Sequence, residues 1–226
     1  MIKNLFIYFI VIFFNLNDST PLNAKTANAN ASAVKYKLTF SSTWSAQTHP
    51  EKFPLNPHYS GLIGMTHKSQ TYLWAPNKIA SDGIELMAET GSKSGLLTII
   101  ENHIASKNAE TIISGGGLGN SPDNISVTFI VTDNAPYVSV VCMLAPSPDW
   151  FVGVESLHLK ENGEWVKSKT IDLIVYDAGT DNGTYYNAIN SNALPKRGII
   201  PLNSLEVGPF TNGLPAIGTF KFEKVN

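Results

Sequence analysis

Residues 137–154 read Tyr137-Val138-Ser139-Val140-Val141-Cys142-Met143-Leu144-Ala145-Pro146-Ser147-Pro148-Asp149-Trp150-Phe151-Val152-Gly153-Val154. Two apolar runs rich in β-branched residues flank a Pro-Ser-Pro-Asp break, the signature of neighbouring strands joined by a short connection. The runs are continuously apolar, which places them at the centre of a sheet. Further on, Ile171, Leu173 and Val175 alternate with other residues, and Glu161-Asn162-Gly163 supplies a hairpin turn. If residues 137–145, 151–159 and 165–176 run up, down and up, the connections 146–150 and 177–183 leave the sheet at one end. Asp149, Asp177 and Asp181 then converge. Counting back one strand, the Gly-rich loop ending at Asp123 shares that end, and Asp133 lies at the other.

Working outward, Tyr36, Leu38 and Phe40 alternate with Lys35, Lys37 and Thr39, the period of a half-buried strand. Ile125, Val127, Phe129 and Val131 repeat this pattern, as do Phe220 and Phe222. The fold expected is mainly β, an antiparallel β-sandwich. Over residues 79–106 the period changes to that of helices. Ser81 or Asp82 caps one with Ile84, Met87 and Ala88 on a single face, ending at Gly91; Ser94 caps a second with Leu96, Leu97, Ile100 and Ile104 as its stripe. These helices are expected to plug the sandwich. Residues 114–120 lack the Lys-Ser/Thr of a phosphate loop and read as a flexible connection; residues 184–216 read as a long loop region.

Near the start, residues 5–14 form an apolar run after Lys3, followed by small-residue cleavage options between 24 and 31. This reads as a signal peptide over residues 1–24, since the run is far shorter than the ~20 residues of a membrane span. About 200 residues remain, enough for one domain, taken as 34–226. No second long apolar run follows, so no transmembrane segment is expected in the mature chain, which belongs outside the cell or in a bacterial cell envelope. With 16 basic and 18 acidic residues the net charge is −2, which argues against nucleic acid as a partner. The single cysteine, Cys142, excludes an internal disulfide framework and a thiolate zinc site, and within an apolar strand it reads as a small hydrophobe.

Few residues carry chemistry. Converging carboxylates repel unless a cation sits between them, and loop oxygens in flexible geometry suit calcium. The same aspartates also serve as turn formers through side-chain hydrogen bonds to the backbone. His49, His58 and His67 lie nine residues apart, a spacing that matches no metal motif, and read as surface or turn-packing residues. Glu85 and Glu89 read as a solvated helix edge. No nucleophile elbow or nucleophile–base spacing is visible.

Residues 146–154 and Asp172-Leu173, with Tyr176-Asp177-Ala178-Gly179-Thr180-Asp181-Asn182-Gly183, resemble the spondin N-terminal domain of the F-spondin and mindin family. The segments 36–40, Thr43-Trp44-Ser45, Thr48-His49-Pro50, His58-Tyr59-Ser60-Gly61-Leu62-Ile63-Gly64 and Leu214-Pro215-Ala216-Ile217 extend the resemblance over nearly the whole mature chain. It implies a C2-like sandwich that binds calcium at one end and works in extracellular adhesion, including integrin contact in the animal proteins. The family's thrombospondin repeats do not appear in these residues, so matrix binding through them does not carry over. By position the calcium-binding aspartates fall on Asp149 and Asp177, with Asp181 as a further motif acid. One departure stands out: a further acid expected upstream falls at Ile130, with Asp133 the nearest carboxylate.

The function expected is that of a secreted, non-enzymatic calcium-binding adhesion or recognition module, with an extracellular protein or glycan as partner. The alternatives are a calcium-dependent membrane-surface binder using Trp150 and Phe151, and an extracytoplasmic hydrolase.

Overall fold

The computed structural model describes residues 33–205, 208–211 and 213–225. The expected signal peptide and its cleavage window lie outside the described residues. In chain order the strands are β1 (Val34–Ser42), β2 (His58–Tyr59), β3 (Ile63–His67), β4 (Ala109–Ser114), β5 (Asp123–Val131), β6 (Tyr137–Ala145) and β7 (Trp150–His158). They continue with β8 (Lys160–Glu161), β9 (Glu164–Trp165), β10 (Ser168–Leu173), β11 (Val175–Asp177), β12 (Ile200–Pro201) and β13 (Gly218–Val225). Helices α1 (Asp82–Thr90) and α2 (Ser94–Ala105) stand between β3 and β4. One sheet has the order β10-β13-β1-β5; the larger one runs β12-β11-β7-β6-β3-β4, with β2 added beside β6. The strand pairs are antiparallel, so the chain is an antiparallel β-sandwich with a helical insertion, as its sequence implies.

Alternation explains the smaller sheet: Tyr36, Leu38 and Phe40 from β1 and Phe220 and Phe222 from β13 face inward and are fully buried. Opposite them the larger sheet contributes Val138, Val140, Cys142 and Leu144 from β6, and Trp150 and Val152 from β7. A second core lies on the outer face of that sheet. There Met65, Val141, Met143 and Phe151 pack against Ile84, Met87, Leu96 and Ile100 of the helices. Strand β6 is therefore covered on both faces, which is why its sequence shows no alternation.

The helices cover the sandwich from outside instead of plugging it, because aromatic side chains already fill its interior. Ser81 caps α1 by accepting the Ile84 N–H at 3.3 Å, and Gly91 ends it at φ +70°. The cap expected from Ser94 does not form. Ser94 is the first residue of α2, its hydroxyl lies 3.0 Å from that of Ser92, and Lys93 before it makes no side-chain cap. The two helices meet backbone to backbone, since a Cβ on Gly95 would lie 2.9 Å from the Cα of Gly83.

Two further expectations are corrected. Residues 114–120 are not a loose connection: Ser114 ends β4, Lys93 donates to Ser114 Oγ and the Gly115 carbonyl, and Leu118 pairs with Tyr59. Strand β4 itself was not anticipated. Residues 165–176 do not form one strand either. β10 joins the smaller sheet beside β13, and after Ile174 the chain crosses to the larger sheet, where β11 pairs with residues 150–152 of β7.

Trp150 and Phe151 anchor the base of the 146–150 connection by pointing into different cores. Trp150 is 1% exposed, with its ring 5.5 Å from Tyr186 and 5.6 Å from Phe210. Trp150→Ala is expected to lower unfolding free energy by about 3–5 kcal/mol, measured by urea titration; unchanged stability would contradict the anchoring role.

Candidate metal centre

The end of the sandwich beyond β6 and β7 is built by the connection 146–149, which Ser147 closes. Its hydroxyl donates to the Leu144 carbonyl at 2.6 Å and accepts the Trp150 N–H at 3.1 Å. This turn directs Asp149 beneath the segment after β11, where the Ala178 N–H donates to the Asp149 carbonyl. One carboxylate oxygen of Asp149, Oδ2, accepts the Thr180 N–H at 2.7 Å, the Asp181 N–H at 3.0 Å and the Thr180 hydroxyl at 3.2 Å. The other, Oδ1, is buried and has no hydrogen-bond partner among the described residues.

Asp177 ends β11 directly opposite Trp150, one residue from Asp149. Its Oδ1 accepts the Gly179 N–H at 2.7 Å, within a turn where Gly179 has φ +76° and a Cβ would meet the Arg197 carbonyl at 2.4 Å. Asp181 is buried with both oxygens engaged: Oδ1 accepts from Gly183 and Oδ2 from Ser191, each at 2.6 Å. That pattern makes Asp181 an organiser of the loop. Arg197 completes the stitching by donating to the Asn182 side chain and the Asp181 carbonyl, and Lys196 ties the same loop to Asp82 and Glu85 of α1.

Neighbouring charge acts on Asp149 and Asp177. Burial, reinforced by the charge of Asp177, lifts the Asp149 carboxyl to about 6, and the three donors to Oδ2 only partly offset this. Burial also raises Asp177, helped by Asp181 and opposed by the Gly179 N–H, Arg197 and the nearby Trp150 indole. The Trp150 Nε1 nevertheless has no partner of hydrogen-bonding geometry among the described residues. Among the described residues, no group of three or more His, Cys, Asp or Glu side chains is arranged to hold a metal. The donors that remain are Asp149 Oδ1, the second oxygen of Asp177, and backbone carbonyls of the two loops, a set of oxygens whose chemistry fits calcium.

Sequence reasoning brought Asp149, Asp177 and Asp181 to one end, and the structure places them there. It did not anticipate Thr180, whose amide and hydroxyl hold Asp149, or Arg197, which sits in the stretch read only as loop. The upstream positions contribute nothing here. Ile130 is 41% exposed on β5 in the other sheet, and Asp133 pairs with Lys160 at the opposite end. Asp123 does share the site's end, but it is exposed and accepts its own neighbour's N–H. Trp150 and Phe151 are buried, which removes the aromatic contacts that a membrane-surface reading calls on. His49 and His67 are buried packing residues. His67 Nε2 lies 2.9 Å from Ser139 Oγ beside a bulge, with its other nitrogen on the Lys68 carbonyl. Cys142 is buried, and burial pushes its thiol up.

The class that the fold and site define is an antiparallel β-sandwich with a pair of carboxylate-bearing loops at one end. Comparison with known proteins makes it specific. The Spondin_N family model matches residues 34–209, and the chain belongs to this family. It is 31% identical to Spondin-2 of Homo sapiens over 188 residues, which cover 81% of this chain and 57% of that protein. To Spondin-1 of Gallus gallus it is 38% identical over 184 residues, 76% of this chain and 22% of the relative. The chain thus spans just over half of the one relative and about a fifth of the other.

The sign of the pH dependence follows from Asp149. Its folded-state value of about 6 lies above the ordinary 3.8, so the folded protein keeps a proton that the unfolded chain releases in between. The resulting stability is complete below the ordinary value and is lost as pH rises through about 6. In EDTA, the wild type should lose stability relative to Asp149→Asn as pH rises from about 3 to about 7, by on the order of 2–3 kcal/mol in urea titrations. A pH-independent difference would mean that Asp149 does not titrate in this window.

Proposed function

We propose that this chain is a secreted, non-enzymatic module that binds calcium between Asp149 and Asp177 and recognises an extracellular protein or glycan. The observation that carries the calcium reading is the buried Asp149 Oδ1, an oxygen without a hydrogen-bond partner among the described residues, beside the half-buried carboxylate of Asp177. A dication there converts repulsion into attraction and ties the 146–149 connection to the 177–183 segment. Asp181 holds the second loop in place. Membership of the Spondin_N family supports the extracellular adhesion role. The relatives compared are animal proteins, which lends support to secretion and none to a bacterial envelope.

Because calcium would bind the folded state alone, it should stabilise by mass action, by about 2.7 kcal/mol at a hundredfold excess over the dissociation constant. Thermal melts in EDTA and in millimolar calcium test this, with Asp149→Asn and Asp177→Asn expected to remove most of the difference and magnesium to substitute poorly. Identical melts, with no heat of binding in calorimetry, would leave the aspartates as turn formers.

Export has its own test. N-terminal sequencing of protein recovered from the medium should begin between residues 25 and 32; an intact Met1 in a membrane pellet would refute the signal-peptide reading.

A further inference from the structure

The crossing of the chain at Ile174 leaves a second feature, remote in kind from the carboxylate loops. β11 covers the outer edge of β7 only along residues 150–152. On that side, residues 153–158 of β7 have no strand partner among the described residues, while β6 pairs with their other side. β10, the strand that has crossed away, is itself the edge of the smaller sheet. Two free edges therefore flank a gap in the side of the sandwich. In an antiparallel strand, the N–H and C=O groups that do not bond to the inner neighbour point outward, so this gap presents unpaired backbone groups.

The gap is a groove of about 300 Å³. Trp74, Tyr176, Ile171 and Ile174 give it apolar walls, and Glu155 and Asp172 give it two carboxylates. Trp74 is 3% exposed, clamped edge-on against Phe151 and Tyr176, and its indole N–H has no acceptor among the described residues. Neither Glu155 nor Asp172 takes part in an ion pair among the described residues. Two lysines of this side are already committed: Lys160 pairs with Asp133 and Lys169 with Glu161. At Ser156, φ is +47°, and its N–H turns to Ser139 Oγ on β6; this bulge ends the regular edge after Glu155.

We infer that this groove receives a short, extended, basic segment of a partner protein, which pairs with residues 153–155 of β7 as an added strand continuing the line of β11. Its backbone satisfies the outward groups of β7; on the outer face of the sheet, which Phe151, Tyr176 and Glu155 share, one apolar side chain lies against Tyr176 and the edge of Trp74 and a neighbouring Lys or Arg on that face meets Glu155, while a basic side chain on the other face approaches Asp172. A strand of about six residues spans roughly 20 Å, long enough to reach from β11 past the bulge. Recognition here needs no calcium, so its failure and that of the metal site are separate events.

The test uses the secreted protein and three end-capped, fluorescein-labelled hexapeptides: Val-Val-Arg-Arg-Val-Val, which presents Val and Arg on both faces, the same sequence with Glu in place of Arg, and the Val–Arg sequence N-methylated at alternate residues. Fluorescence anisotropy in EDTA should show the Val–Arg peptide binding at least tenfold more tightly than either control. The double variant Glu155→Gln, Asp172→Asn should weaken it by a similar factor while melting like wild type. In heteronuclear NMR the peptide should shift the Trp74 indole N–H and the amides of Gly153 and Glu155. Equal binding of the acidic and basic peptides, no binding, or shifts confined to other residues would overturn the assignment. So would sedimentation showing that a second copy of this chain fills the groove in a dimer sensitive to the same variant.

Discussion

Between Leu173 and Val175 the backbone leaves one sheet and joins the other, and much of the molecule is arranged around that step. Leu173 and Val175 are both buried in the inter-sheet core, so the crossing is held by apolar packing on each side of the half-buried Ile174. Before the crossing, β10 extends the smaller sheet and bonds to β13. After it, the three residues of β11 bring Asp177 opposite Trp150 and hence beside Asp149. A strand that stayed in one sheet could place the carboxylates together or complete the smaller sheet, but not both. The same step leaves residues 153–158 of β7 uncovered, so the carboxylate pair and the open groove have one topological origin.

The carboxylate end is organised by hydrogen bonds that run from backbone to side chain across the chain. Asp149 is 31 residues from Thr180 and collects its amide and hydroxyl together with the Asp181 amide on a single oxygen. Charge-assisted bonds of this kind are short and about twice as strong as neutral ones, which is how a buried acid is tolerated at all. They do not neutralise it, and the remaining oxygen is left to whatever cation the site admits. Asp181 shows the contrasting solution, with each oxygen saturated by a loop amide. Two acids at one end of the sandwich thus differ not in how many N–H groups reach them, two in each case, but in whether those donors share one oxygen or are divided between both.

Much of this was legible in the residues. Alternation in β1, β5 and β13 identified the half-buried strands, the apolar continuity of residues 137–145 marked a central strand, and turn chemistry at 146–149 and 177–183 located the acids. What escaped detection depended on tertiary partners. Nothing local in residues 165–176 shows that the strand changes sheets, because Leu173 and Val175 keep the same period on both sides of the step. The helices were visible from their stripes, yet which surface they cover depends on the apolar outer face of β3 and β6, which only assembly of the sheet creates. Thr180 and Arg197 act through bonds to segments distant in sequence, and neither residue type in a loop announces such a role.

The foundation beneath the carboxylates is aromatic. Trp44, Trp150, Tyr186 and Phe210 meet at centroid separations of 5.5 to 5.8 Å, filling the end of the inter-sheet core directly under the loops. The indole nitrogens of Trp44 and Trp150 and the Tyr186 hydroxyl are buried there without partners of hydrogen-bonding geometry among the described residues. A buried unpartnered polar group costs about 1–3 kcal/mol, whereas burying an aromatic ring with edge-to-face contacts returns more than that. Large apolar area therefore outweighs polar mismatch at this end. The loops above rest on rings whose positions are set by volume, and the carboxylates inherit their geometry from that packing as well as from their own hydrogen bonds.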